Sequence, residues 1–509
     1  MKYYHQRLPT HLGIAVLLSV GEAFALRYSW LAFKVGYVAL YSGCFALTAS
    51  GIILGSAKLT ALYEQKRHLR GARLLSNKAF VQEIDGDGIA IPNNASGKKP
   101  AFLTIKQEDE TKHILICGDT GSGKSTILHY FAMQVRHEFE HYAVFYDPKL
   151  EYWKYHGSPG KGDILLYPFS EYCPYWDLAN EVSNPGMAKL IAESLLPCTP
   201  GEEEQFFVRS PRNILKRLLL EMKQRDATIE ELLSWIRNED ELDAILAGHN
   251  VASLIPRSAA NQRAGVIGSL NAIADHLELL PPCDGREVFS LAEWVKQRPG
   301  SLFIGAVGVA DQQALQPLFS IWFNILIQQL LNLSPESGKP PATWIFIDEL
   351  ASLKNLSFLE QAASQARSYN TRLVLGFQNR YQIENFYHKL AMPILSAPKT
   401  KIFLRTSEID SAEWCARMIG EPEFERRVMN ESSQVGMGRH GESIGYRDER
   451  KTEYLILPSE FLALSDRQGF LQYQGITTPI EFEYPSMREA KKGKRHPLAY
   501  RKHRRLKRV

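Results

Sequence analysis

The segment Gly118-Asp119-Thr120-Gly121-Ser122-Gly123-Lys124-Ser125 has the residue types and spacing needed to hold a triphosphate. It fits the pattern G-x-x-x-x-G-K-[ST] in the setting that pattern requires. An apolar, strand-like run from His113 to Cys117 leads into it, and a helix-compatible stretch from Thr126 to Val135 follows. Glycines in such a loop let backbone N–H groups close on phosphate oxygens, Lys124 neutralises the β- and γ-phosphates, and Ser125 ligates Mg²⁺ at the helix N-terminus, with Thr126 beside it. ATP with Mg²⁺ is the expected ligand pair.

Hydrolysis needs more than a cradle. Thr343-Trp-Ile-Phe-Ile347 is a second apolar run, and it ends in two adjacent acids. Asp348 is suited to holding Mg²⁺ through its water shell, opposite Ser125, and Glu349 to polarising the attacking water. Arg372 to Phe377 reads as a further strand, ended by Gln378. A glutamine at the carboxyl end of a strand beside the two motif strands can touch the γ-phosphate and report its loss; the alternative is a loop cap. Arg367 and Arg372 lie just before that strand, where a subunit edge can carry an arginine into a neighbour's nucleotide site. On residues alone, either is equally a surface arginine.

Together with Tyr146-Asp-Pro-Lys149, Phe346-Ile-Asp-Glu-Leu-Ala-Ser-Leu353, Leu375-Gly-Phe-Gln378 and two apolar N-terminal runs, these motifs make the chain resemble the conjugative coupling proteins of type IV secretion systems, the TraD/TraG/TrwB group. The resemblance runs from the N-terminus to about residue 480, and Phe346 to Gln378 is similar to the TrwB branch. It implies a RecA-like motor with an all-α domain, a homohexameric ring on the inner membrane, and ATP-driven passage of single-stranded DNA with its attached relaxase. It also favours Arg367 over Arg372 as the trans-acting finger and Gln378 as the sensor. One departure is Asp119, where the group usually carries a small residue. A carboxylate turned towards the phosphates there would weaken ATP binding, and one turned outward would not.

These side chains must be placed by an α/β framework. Ala143–Tyr146, Ser301–Gly305, Lys401–Leu404, Tyr454–Leu457 and Gly469–Tyr473 supply further strands, and Leu315 to Leu331 is a long apolar helix that a sheet must cover. After Glu349 an alanine-rich helix is expected to run to about Tyr369. Asp147 is read as a structural turn or as an aid to the magnesium site. From about Val182 to Leu280 the apolar period is helical, as in Ile214, Leu215, Leu218, Leu219 and Met222, so an all-α insertion is expected, closed by Pro281-Pro282. The aromatic pair Phe206-Phe207 is read as core before nucleic-acid stacking. Gln65 to Leu75 is basic and helix-like.

The expected architecture is therefore a RecA-like P-loop α/β motor with an all-α insertion and an N-terminal two-helix transmembrane hairpin. Residues 1–60 form the hairpin, with spans at about 10–27 and 35–57. Residues 61–110 form a stem, a linker and the first strands; 111–181 the first part of the motor; 182–285 the all-α domain; 286–486 the second part; and 487–509 a basic tail.

The hairpin rests on two runs. Leu12 to Leu26 is apolar except for Glu22, and Val35 to Ala57 carries no charge, long enough for a bilayer that takes about 20 residues per span. Lys2 and Arg7 precede the pair and Lys58, Lys66, Arg67, Arg70 and Arg73 follow it, which puts both ends in the cytoplasm. A cleaved signal peptide is the rival reading; it would export a site that needs cytosolic nucleotide.

With 45% hydrophobic and 23% charged residues, the 509-residue chain is globular and large enough for two or three domains, which excludes a disordered chain or a lone small module. The formal charge of +4 conceals an asymmetry: residues 487–509 hold 11 Lys and Arg against one Glu, leaving 49 basic and 55 acidic residues elsewhere. The tail suits sequence-independent contact with DNA phosphates, with anionic lipid as its competitor. Six scattered cysteines, none at C-x-x-C or zinc spacing, indicate reduced thiols.

The leading functional expectation is a multi-pass inner-membrane ATPase, mostly cytoplasmic, that couples the relaxosome to the secretion channel and pumps single-stranded DNA. Its partners would be the relaxase, accessory relaxosome proteins and channel subunits. The rivals are a septal translocase of the FtsK type and a substrate-docking receptor that uses ATP only as a conformational switch.

Overall fold

The computed structural model describes residues 67–94, 101–198, 201–333, 341–353, 356, 359–436 and 439–485. The two apolar runs, Glu22 and the basic tail lie outside them. The chain divides into two units.

The larger, residues 72–421 with 454–485 of the described chain, is built on a ten-stranded sheet. From one edge its strands lie in the order Arg73–Leu74, Ile476–Glu481, Gln468–Tyr473, Thr400–Leu404, Ile114–Cys117, Thr371–Phe377, Thr343–Ile347, Tyr142–Asp147, Leu302–Gly305, Ile164–Leu166. From Thr400–Leu404 onward all neighbours are parallel. Strands of this kind are covered on both faces, which explains their near-continuous apolar runs. Phe303, Phe145 and Phe346 lie in register on three neighbouring strands, with ring centroids 4.9 and 4.8 Å apart, forming an aromatic ladder that holds the register.

The phosphate-loop helix Lys124–Met133 packs on one side of this sheet. On the other lies Val309–Leu331, the one helix among the described residues long and apolar enough to cross a membrane. Two-thirds of its most apolar stretch is buried, and it serves as a core helix. Between the short parallel strands Tyr175–Trp176 and Val288–Phe289 the described residues have helices as their only regular elements, among them Pro185–Leu195, Phe206–Arg225, Ile229–Arg237 and Ala260–Leu277. Their apolar stripes, including Ile214, Leu218, Leu232 and Leu270, are fully buried. Phe206 packs against this core, while Phe207 is exposed.

Three expectations need correction. Tyr454–Leu457 forms no strand: it is a bend leading into the helix Pro458–Ala463, where the Leu457 N–H that a strand partner would take donates to Glu460 Oε1 at 3.0 Å. The helix after Glu349 is not continuous: a 3₁₀ turn, Leu350–Ser352, precedes a helix at Leu359–Gln365, and a second 3₁₀ turn spans Ala366–Tyr369. The Tyr387 hydroxyl donates to the carbonyls of Leu350 and Leu353, and Ser352 Oγ donates to Glu349 O, so carbonyls that a helix would use are taken. The described part of Gln65 to Leu75 is not helical but forms the strands Arg67–Arg70 and Arg73–Leu74, interrupted at Gly71 with φ +100°.

In the smaller unit Arg67–Arg70 pairs with a long hairpin, Glu423–Gly436 and Arg439–Thr452, both of whose strands have 14 residues. Arg70 donates to Glu423 at 2.7 Å, and Arg426 pairs with Glu453 at 3.0 Å.

Candidate active site

The phosphate loop leaves the carboxyl end of Ile114–Cys117, an inner strand flanked by Thr371–Phe377 and Thr400–Leu404. Gly123 ends the loop at φ +111°, a backbone that favours glycine, and a Cβ there would stand 2.9 Å from the Phe482 ring. No side chain caps the helix that follows, so the loop and the first turn leave N–H groups for an anion. Thr120 and Gly121 are exposed at the mouth, while Ser122 and Thr126 are buried.

Lys124 folds back over its own loop. Its Nζ donates to Gly118 O at 2.6 Å and to Asp119 O at 3.2 Å. Burial lowers its pKa, while Glu349 and Asp348 pull it back up. The Asp119 carboxylate is turned away from the loop interior and accepts the Ser407 N–H at 2.6 Å, with Arg405 at 4.0 Å. That grip comes from the segment after Thr400–Leu404, and the sequence reading did not include it.

The acid pair arrives on the strand beyond Thr371–Phe377. Ser125 Oγ donates to Asp348 Oδ2 at 2.8 Å, and the Tyr152 hydroxyl donates to the same oxygen at 3.1 Å. Gln378 links loop and acids: its Oε1 accepts from Thr120 Oγ1 at 2.7 Å and its Nε2 donates to Glu349 Oε2 at 2.5 Å. Gly376 lets that strand pass, since a Cβ there would lie 2.3 Å from Asp348 O. Burial raises the Glu349 pKa against the pull of Lys124 and the Gln378 hydrogen bond. The structure thus brings Lys124, Ser125, Asp348, Glu349 and Gln378 together at one end of the sheet.

The residues present fit a magnesium nucleotide. The buried atoms Ser122 Oγ, Thr126 Oγ1 and Glu349 Oε1 find no partner among the described residues, and a Cβ at Gly121 would meet nothing within 4 Å. Ser125 and Asp348 would hold the metal, and the loop N–H groups with Lys124 would hold the phosphates.

Asp147 takes the structural role. Its two oxygens accept Glu151 N and Trp153 N, both at 2.8 Å, and burial raises its pKa to about 7. The two arginines separate. Arg372 is buried, with Nε 2.9 Å from Glu110 Oε2 and its guanidinium 5.3 Å above the Trp344 ring. Arg367 is exposed in the turn before Thr371–Phe377, so seven strand residues, about 20 Å, separate it from its own Gln378. It lines a cleft of about 570 Å³ with Lys112, Lys399 and Lys401. Lys401 donates to Pro398 O, and burial lowers its pKa to about 8.

Residues 99–482 match the family model for the type IV secretion-system coupling protein DNA-binding domain. The chain is 27% identical over 393 residues to the coupling protein TraD of Escherichia coli strain K12; the match covers 73% of this chain and 52% of TraD, so it spans about half the length of that relative. Among solved structures, the bacterial conjugative coupling protein TrwBdeltaN70 in complex with sulphate is similar at TM-score 0.69 and 24% identity, covering 83% of this chain and 95% of that one. The plasmid coupling protein TrwB in complex with ADP and Mg²⁺ is similar at TM-score 0.69 and 23% identity, covering 83% and 96%. The shared fold is a RecA-like α/β motor with an all-α domain.

Proposed function

The chain belongs to the type IV secretion-system coupling proteins, and from that premise we propose that it is an ATP-hydrolysing motor of the inner membrane, active as a homohexamer, that passes single-stranded DNA from the relaxosome into the secretion channel. Residues 1–60 anchor it as a two-span hairpin with the bulk of the chain in the cytoplasm. Residues 111–181 and 286–486 act as the motor, 182–285 faces the relaxase and its accessory proteins, and the basic tail at 487–509 holds DNA phosphates.

The observation that carries this reading is the bridge from Thr120 through Gln378 to Glu349. It ties the phosphate loop to the second acid by a side chain whose bonds must rearrange when a γ-phosphate enters or leaves. Lys124 would exchange its loop carbonyls for the β- and γ-phosphates, a charge-to-charge contact in place of an ammonium–carbonyl bond. Ser125 and Asp348 would hold the magnesium, which would supply positive charge against the phosphate oxygens. Glu349, freed by Gln378, orients the attacking water, and Gln378 then senses the γ-phosphate. Arg367 reaches the neighbour's site, consistent with its position about 20 Å from its own.

The relatives support the ligand: TrwB is known in complex with the ATP analogue ADPNP as well as with ADP and Mg²⁺. The test is ATP hydrolysis by the purified full-length protein with and without single-stranded DNA, beside Lys124→Ala. Hydrolysis stimulated by DNA and lost in the variant is expected; hydrolysis indifferent to Lys124 would place the chemistry elsewhere.

A further inference from the structure

We propose that Tyr152 is a positioning residue for the magnesium carboxylate, its hydroxyl fixing the orientation in which Asp348 meets the ion. The inference rests on the reading of this site as a magnesium nucleotide site. Tyr152 sits on the short helix Glu151–His156 with only 2% of its surface exposed. Its hydroxyl donates to Asp348 Oδ2, the oxygen that also accepts from Ser125 Oγ.

These two donors have different roles. Ser125 would itself ligate the ion through its hydroxyl oxygen, so its position would be set by the ion as well as by Asp348. Tyr152 would not ligate the ion, so its hydrogen bond would act on Asp348 alone. A carboxylate that holds a metal, directly or through the metal's water, is set in place by such an outer hydrogen bond, and losing it weakens metal binding about 10- to 100-fold.

The hydroxyl cannot wander. The ring stacks on Phe145 with centroids 5.5 Å apart and planes 15° apart, and it lies 4.6 Å from the His129 ring. His129 comes from the phosphate-loop helix, one turn beyond Ser125, and Phe145 from the strand beside the acid-bearing one. Asp147 pins the start of the Tyr152 helix through Glu151 N and Trp153 N. Three elements around the site therefore fix one oxygen against Asp348. If the phenol were only a buried group in need of an acceptor, the metal would be indifferent to it.

The two roles separate in a magnesium titration. Binding of the fluorescent nucleotide mant-ATP by the detergent-solubilised full-length protein is measured against Mg²⁺ and in EDTA. Wild-type binding should tighten with Mg²⁺; if it does not, the magnesium-site reading itself fails. Given that dependence, Tyr152→Phe should raise the half-saturating Mg²⁺ about tenfold and leave the affinity in EDTA unchanged. Tyr155→Phe, which removes a hydroxyl from the same helix without touching Asp348, should match wild type. An unchanged Mg²⁺ dependence in a folded Tyr152→Phe protein overturns the inference. Should circular dichroism show that variant misfolded, Tyr152→Leu carries the same expectation and the same risk.

Discussion

Gln378 Nε2 donates to Glu349 Oε2 at 2.5 Å, although the two side chains leave different strands and stand 29 residues apart. The second acid is thus held by the residue proposed to sense the γ-phosphate. Glu349→Gln should bind ATP with wild-type affinity, because Ser125 and Asp348 are untouched, and hydrolyse it about a hundredfold more slowly for want of a base. Nucleotide affinity and single-turnover hydrolysis measured together check this. Loss of binding would make Glu349 a structural residue.

Lys124→Ala should abolish hydrolysis and weaken binding, since the ammonium is the one side-chain charge that the loop offers to the phosphates. Equilibrium binding and phosphate release read both effects. A variant that turns over normally would remove the loop from the mechanism.

Arg367, in the turn before Gln378's strand, and Arg372, at its start, should fail in different ways. Arg367→Ala is expected to keep its fold and its nucleotide affinity while turnover falls about a thousandfold, the scale of a missing arginine finger. Mixing it with Glu349→Gln protein should recover part of the activity, because some interfaces then pair an intact Glu349 with an intact Arg367. Arg372→Ala should instead lose about 3–5 kcal/mol of stability, because Glu110 is left buried and unpaired. Denaturation curves and steady-state rates for both variants distinguish them; full turnover by Arg367→Ala would exclude the trans role.

What was legible in the sequence was local. The phosphate loop, the acid pair and Gln378 sit at the ends of apolar runs whose neighbours in the chain define them, and the inner strands are mostly apolar because helices cover both faces, with Arg372 and Lys401 near the starts of two of them. The burial of Arg372 was not legible, since its partner Glu110 lies 262 residues away. Nor was the reach of Tyr152 to Asp348, across 196 residues. The Glu423–Thr452 hairpin shows no apolar alternation to announce it; it is held by its backbone ladder and by cross-strand charge pairs such as Arg450 with Glu425 at 3.5 Å. The interrupted helix after Glu349 was misread because Tyr387, which takes its carbonyls, arrives from beyond the next strand.

Glu181 gives a pH dependence with a definite sign. It is buried beneath the all-α region, accepting Trp176 Nε1 at 3.0 Å and the N–H groups of Leu291 and Ala292 that open the helix Leu291–Gln297. Burial raises its pKa to about 7, so the folded state holds a proton that the unfolded state releases near pH 4.5. Its contribution is complete at low pH and is lost as pH rises towards 7. Glu181→Gln cannot ionise, so its stability relative to wild type should improve between pH 5 and 7 by at most about 1.4 kcal/mol per pH unit. Paired denaturation curves at pH 5, 6 and 7 measure the difference; a constant difference would mean that the carboxyl does not titrate in this range.

The central claim is that hydrolysis at the Thr120–Gln378–Glu349 bridge moves DNA. The direct measurement is strand translocation by the purified full-length protein on single-stranded DNA, followed as ATP-dependent displacement of a bound block, with Glu349→Gln as the control. Displacement that requires ATP and disappears in the variant is the predicted result. DNA-stimulated hydrolysis with no movement would contradict it and leave a docking receptor that uses ATP as a switch.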